Sequence, residues 1–146
     1  MREIKFRGRR PNGEWMYGAL IPGEYSWWGA PSIADKNFRY EVDPETVGQY
    51  TGCKDVTGKE IYEGDIVTMG PSAELRIIRF GEYASVSEKE KYNYGFYVEF
   101  LSKRYRDVFR KDFLFWVKHF GNWRCLVIGN THDNPEFLEI FGGGKQ

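Results

Sequence analysis

His119 and His132 are the two side chains able to titrate near neutrality without help from a neighbour. They stand in separate segments and share no spacing. His132 is followed by Asp133 and flanked by Asn130 and Asn134. Such a group could hold a cation, but Asn and Asp commonly bond the backbone of their own turn. A hydrogen-bonded loop ahead of a helix is the simpler expectation. Glu63-Gly64-Asp65 brings two carboxylates within three residues, enough for an acid–base pair or a metal contact. The glycine between them marks a sharp bend, with both carboxylates expected in solvent. A metal-dependent hydrolase built on Glu63, Asp65 or Asp133 would need these groups to converge in a pocket.

The sequence has no His-Glu-x-x-His, no Cys-x-x-Cys and no calcium-loop pattern. Gly52 through Gly58-Lys59-Glu60 has the glycine and lysine of a phosphate loop, but at the wrong spacing and with Glu60 where a hydroxyl belongs. Gly142-Gly143-Gly144-Lys145 has no helix behind it to bind phosphate. No catalytic residue, metal or cofactor is therefore expected. Cys53, read as a turn residue, and Cys125, in a buried-looking strand, are expected to be reduced and structural.

Contact chemistry is better represented. Arg7, Arg9 and Arg10 with Trp15 and Tyr17 would make a basic-aromatic strand face of the kind single-strand binders use. Lys103, Arg104, Arg106, Arg110 and Lys111 with Tyr105 and Phe109 would make a second. The formal net charge of zero weighs against an obligate polyanionic partner. Basic residues cluster in 1–10 and acidic ones in 41–65, which fits solvated strand faces or head-to-tail pairing between subunits. Tyr25 with the Trp27-Trp28 pair is the strongest candidate contact, because Trp and Tyr concentrate at interface centres. The alternative is that the pair covers one end of a barrel.

The elements that must position these residues are mostly strands. Aromatics make up 18% of the 146 residues, a lean toward pleated, half-buried surfaces. Residues 2–7 alternate, with Ile4 and Phe6 on one face and Glu3, Lys5 and Arg7 on the other. Pro11-Asn12-Gly13 is a turn, and residues 14–21 are the return strand of a hairpin. Residues 22–44 have no clean period and read as a long loop or flap, with a short strand near 38–42. Strands follow at 46–51, 66–69 and 75–80, the first of them entering a tight Asp55-Val56-Thr57-Gly58 turn where Asp can bond a later N–H. Residues 70–72 form another turn. Residues 82–93 are charged and poor in bulky aliphatics, and 85–91 within them read as an exposed loop or short helix. Strands are expected again at 95–101 and 124–128, with 104–120 open between strand and helix. Asn134-Pro135-Glu136 starts a short helix that the glycines from 142 stop.

Three blocks then recur in a known order. They are Arg2-Glu3-Ile4-Lys5-Phe6-Arg7, then Gly48-Gln49-Tyr50-Thr51-Gly52 through Lys59-Glu60-Ile61-Tyr62-Glu63-Gly64-Asp65-Ile66-Val67, and last Ile128-Gly129-Asn130 with Asn134-Pro135-Glu136-Phe137-Leu138. Together they resemble the YopX family of small phage- and prophage-encoded proteins. The resemblance implies a β-rich fold with an SH3-like barrel element, a phage or prophage origin and self-association. It carries no catalytic residues with it.

The expectation is a mainly β, β-rich α+β protein: a small SH3-like antiparallel barrel with an N-terminal hairpin, long insertions and a short C-terminal helix. It would be one domain over 1–146, with variable insertions near 22–44 and 82–120. The leading functional reading is a non-enzymatic, self-associating binding module of a phage or prophage, partnered by its own copies or by another phage or host protein. A nucleic-acid-binding module is second and the hydrolase third. No apolar run approaches the ~20 residues of a membrane helix, and no targeting peptide precedes the first strand, so a cytoplasmic setting in the bacterial host is expected.

Overall fold

The computed structural model describes residues 3–69, 74–84, 92–102, 110–112 and 125–142. The chain divides into two compact units, Met1–Gly52 and Cys53–Gln146.

In the first unit, β1 (Phe6–Arg9) and β2 (Trp15–Ile21) form the expected hairpin. Their antiparallel register sets Arg7 opposite Tyr17 and Arg9 opposite Trp15. The connection closes through Arg10 N–H to Glu14 O at 2.8 Å and Gly13 N–H to Arg10 O at 2.8 Å. The 22–44 stretch is more ordered than its sequence suggests. It holds a 3-10 turn at Gly23–Tyr25, β3 (Ser32–Ala34) and β4 (Arg39–Glu41). β4 is the short strand expected near 38–42, whereas β3, at three residues, is too short to display a period of two. A second 3-10 turn at Pro44–Thr46 leads into β5 (Gly48–Lys54), and the strand order is β4-β3-β2-β1-β5.

The strand begins at Phe6, and the polarity expected for residues 2–7 is corrected. Ile4 is 70% exposed, whereas Arg7 is buried at 4% exposure. Rings take up three cations of this segment. Lys5 lies 5.2 Å from the Tyr50 ring centroid, Arg7 4.7 Å from Trp15 and Arg10 5.2 Å from Tyr40. Cation–π pairing of this kind contributes about 0.5–2 kcal/mol per pair, more as the pair is desolvated. It therefore lets a basic strand sit against aromatic surface.

In the second unit the end of β5, at Cys53–Lys54, turns through Asp55–Gly58 and hairpins with β6 (Glu60–Tyr62). Then come β7 (Asp65–Thr68), β8 (Leu75–Ala84), β9 (Tyr92–Phe100), β10 (Arg110–Asp112) and β11 (Leu126–Asn130), ending in α1 (Glu136–Gly142). The antiparallel order is β10-β9-β8-β7-β11. The doublets Ile66-Val67 and Ile77-Ile78 send successive side chains to opposite faces. Val67 and Ile78 join Ile61, Met69, Phe96, Val98 and Cys125 in one buried cluster. Ile66 and Ile77 join Leu75 and Leu101 in another, packed against Phe137 and Leu138 of α1. Among the described residues the structure is thus mainly β, with two antiparallel sheets and one short α-helix.

The loop or short helix expected over residues 85–91 lies outside the described residues. β8 runs to Ala84 and β9 begins at Tyr92. Cross-strand aromatics carry the pair past its aliphatic part: Phe80 meets Phe96 at 4.8 Å and Tyr94 at 5.3 Å, and Tyr83 stacks on Tyr97 at 4.8 Å. The turn expected at 70–72 and most of 104–120 lie outside the described residues.

Gly64 sits at φ 92 with both backbone groups engaged, its N–H on Ile78 O at 2.7 Å and its C=O accepting from Thr131 N–H at 3.0 Å. Neither bond leaves room for the turn to relax. Gly64→Val is expected to lower unfolding free energy by about 1–3 kcal/mol, the cost of a side chain in a left-handed conformation. Chemical denaturation checks this, and an unchanged midpoint would contradict it.

Candidate functional site

The loop between β2 and β3 is braced from within. Ser26 N–H bonds Gly23 O at 3.1 Å, and Ser26 Oγ lies 2.6 Å from Ala30 O and 2.9 Å from Gly23 O. Gly29 N–H bonds Ser26 O at 3.3 Å. At the neck, Gly23 stands so close to the Gly29 carbonyl that a Cβ there would collide with it. One serine and two small residues therefore close the loop without using its aromatics.

Those aromatics point outward. Tyr25 is 70% exposed, Trp28 53% and Trp27 fully exposed at 101%. A tryptophan in that position covers no part of its own unit, so the end-cap alternative does not describe Trp27. The neck itself can be tested. Gly23→Ala should raise local opening of residues 23–30 by about tenfold, the scale of modest backbone strain, with little change in global unfolding. Native-state hydrogen exchange reads this directly.

The basic-aromatic face is placed only in part. Arg7, Arg9, Trp15 and Tyr17 do share one face by register. Arg7, however, is buried against the Trp15 ring, and a buried guanidinium is not available to a surface phosphate. Arg10 is held by Tyr40 and by Glu14 at 3.1 Å. Arg104, Arg106, Lys103 and His119 lie outside the described residues.

The carboxylates are occupied structurally. Asp65, expected in solvent, is buried, and its Oδ2 accepts the Tyr62 N–H at 2.8 Å. Asp133 Oδ2 accepts from Asn130 Nδ2 at 3.1 Å. Asn130 Oδ1 in turn accepts the N–H groups of His132 and Asp133 at 2.9 and 2.8 Å. This is the hydrogen-bonded loop the sequence suggested. Asn134 does not cap α1 with its side chain as expected; its Oδ1 accepts the Asn130 N–H at 3.2 Å instead. Among the described residues no three His, Cys, Asp or Glu side chains gather as a metal site.

Asp55 plays a larger part than its turn position suggested. It is 2% exposed. Oδ1 accepts from Thr57 N, Thr57 Oγ1 and Lys59 N at 2.8, 2.6 and 3.0 Å, and Oδ2 accepts from Val127 N at 3.0 Å. Burial pushes its pKa up, but the Thr57 hydroxyl and the Val127, Lys59 and Thr57 amides outweigh this and hold it below the ordinary aspartate value. Val56 N–H adds a bond to Cys125 O at 3.0 Å. Burial, then the neighbouring charges of Asp55 and Cys53, push the Cys125 thiol to about 12. A thiol so rarely ionised is a poor nucleophile. Cys53, read as a turn residue, lies in β5 and packs against the same cluster as Cys125.

Fold and surface together define a strand-rich protein with outward aromatics on a braced loop. The family model described as YopX protein matches residues 6–139, and the chain belongs to the YopX family. No curated protein matches the chain. Among the described residues no helix is long and apolar enough to cross a membrane.

Proposed function

We propose that this chain is an accessory protein of a phage or prophage, acting in the host cytoplasm as a non-enzymatic, self-associating binding module with the SH3-like barrel element its family resemblance implies. The observation that carries the reading is Trp27, wholly exposed on a loop already braced by Ser26. A loop held in shape before binding loses little freedom on contact, so more of the contact energy appears as affinity. Large aromatics of this kind contribute much of the apolar area at interface centres. In this reading Tyr25, Trp27 and Trp28 meet a second copy of the chain, and another phage or host protein is the competing occupant.

Size-exclusion chromatography with light scattering, run over a wide concentration range, tests self-association. A mass that rises with concentration supports it. A strict monomer at every concentration rejects it, and a pull-down from induced lysogens with the same loop variants then asks whether another protein takes the place.

A further inference from the structure

We propose that Asn12 is a site of spontaneous covalent modification, in which its carboxamide is converted to a carboxylate through attack by the Gly13 backbone. Of the asparagines in the chain, Asn12 alone is followed by glycine; the residues after the others are Phe38, Tyr94, Trp123, Thr131 and Pro135. A side chain at the following position hinders approach of its own nitrogen to the carboxamide, and proline has no N–H to give up. Asn12 and Gly13 are both exposed at the tip of the β1–β2 hairpin. A Cβ on Gly13 would meet nothing within 4 Å, so the space around the reacting atoms is open.

The local hydrogen bonds favour the electrophile and restrain the nucleophile. Asn12 Oδ1 accepts the Glu14 N–H at 3.0 Å. That bond folds the carboxamide back over its own chain and draws electron density from Cγ. Arg10 and Glu14 lie beside it as an ion pair at 3.1 Å. Gly13 N–H donates to Arg10 O at 2.8 Å, so the turn must loosen before that nitrogen can react. The hairpin therefore sets the pace.

The chemistry needs only water and base. Hydroxide takes the Gly13 N–H proton, and the nitrogen bonds to Asn12 Cγ. The Cγ–NH2 bond breaks and ammonia leaves with a proton from water, giving a five-membered succinimide. Water then opens either carbonyl to yield aspartate or isoaspartate. The net change replaces NH2 by OH, with no oxidation or reduction. The product carries a new carboxylate that competes with Glu14 for Arg10, and the formal net charge falls from zero to −1. The isoaspartate form also lengthens the main chain by one carbon next to the Arg9–Trp15 pair.

The folded full-length chain would be held for days in mildly alkaline buffer beside an Asn12→Gln variant and a urea-unfolded control. Asn12→Asp provides the chromatographic standard for one product. The expected result is a gain of one mass unit confined to the peptide carrying Asn12-Gly13. It should resolve into two isomers, form more slowly than in the unfolded control, and be absent from Asn12→Gln. An unchanged peptide in the native chain, while the unfolded control converts, would overturn the proposal. So would a gain that maps to another asparagine.

Discussion

Replacing Asp55 with asparagine lowers the unfolding free energy by about 2–4 kcal/mol, the scale expected when charge-assisted hydrogen bonds are lost and buried donors are stranded. The carboxylate accepts from four donors, each an N–H or O–H. A carboxamide has one accepting oxygen. Whichever way it turns, its NH2 faces either Val127 N–H or the Thr57–Lys59 amides, donor against donor. The loss is a large share of the ~5–15 kcal/mol that holds a domain together. It falls where the β5–β6 turn is tied to β11, so both should loosen first in hydrogen exchange. The pH dependence has a definite sign. Asp55 is held below the ordinary aspartate value in the folded chain. Its contribution is therefore fully present above the unfolded value of about 3.9 and is lost as pH falls through the folded value. Wild type and Asp55→Asn should differ most near neutrality and converge in acid. Equal stability at neutral pH would show that the four bonds contribute nothing net.

The double substitution Trp27→Ala and Trp28→Ala should leave the melting curve within about 0.5 kcal/mol, because exposed side chains contribute little to folding. Self-association should weaken at least tenfold, since truncating a hot-spot tryptophan commonly costs 2 kcal/mol or more of binding. The two readouts separate the explanations: a role in folding would move the melting curve, and a role in contact would move the concentration dependence alone. Analytical ultracentrifugation of wild type and variant supplies the second number, and equal association constants would remove the loop from the contact. Tyr25→Ala, at 70% exposure, belongs in the same series with a smaller expected effect.

Much of this was legible locally. The β1–β2 hairpin followed from Pro11-Asn12-Gly13 between alternating segments. The strands that carry Ile66-Val67 and Ile77-Ile78 could be read from the chain, whereas the cover on both their faces emerged only from the packing. The turn role of Asp55 could be read from its own neighbours. Its bond to Val127 could not, because 72 residues separate the two and no local pattern marks the partner. Arg7 was misplaced for a related reason. Alternation puts it on a polar face, while the ring that receives it, Trp15, comes from the next strand. The 22–44 stretch hid β3, which is shorter than the window alternation requires, whereas β4 answers to the short strand expected near 38–42.

The order of side chains along the chain determined the strand-rich class, the hairpin, the family and the presence of an aromatic loop. These depend on backbone preference and short-range periodicity, which each segment carries by itself. Tertiary structure decided which polar groups are buried and which aromatics are exposed. Asp55 and Asp65 went inside because amides from their surroundings satisfy them, and Trp27 stayed outside because Ser26 closes its loop without it. Burial depends on what the rest of the chain brings alongside, and that information is not contained in any one segment.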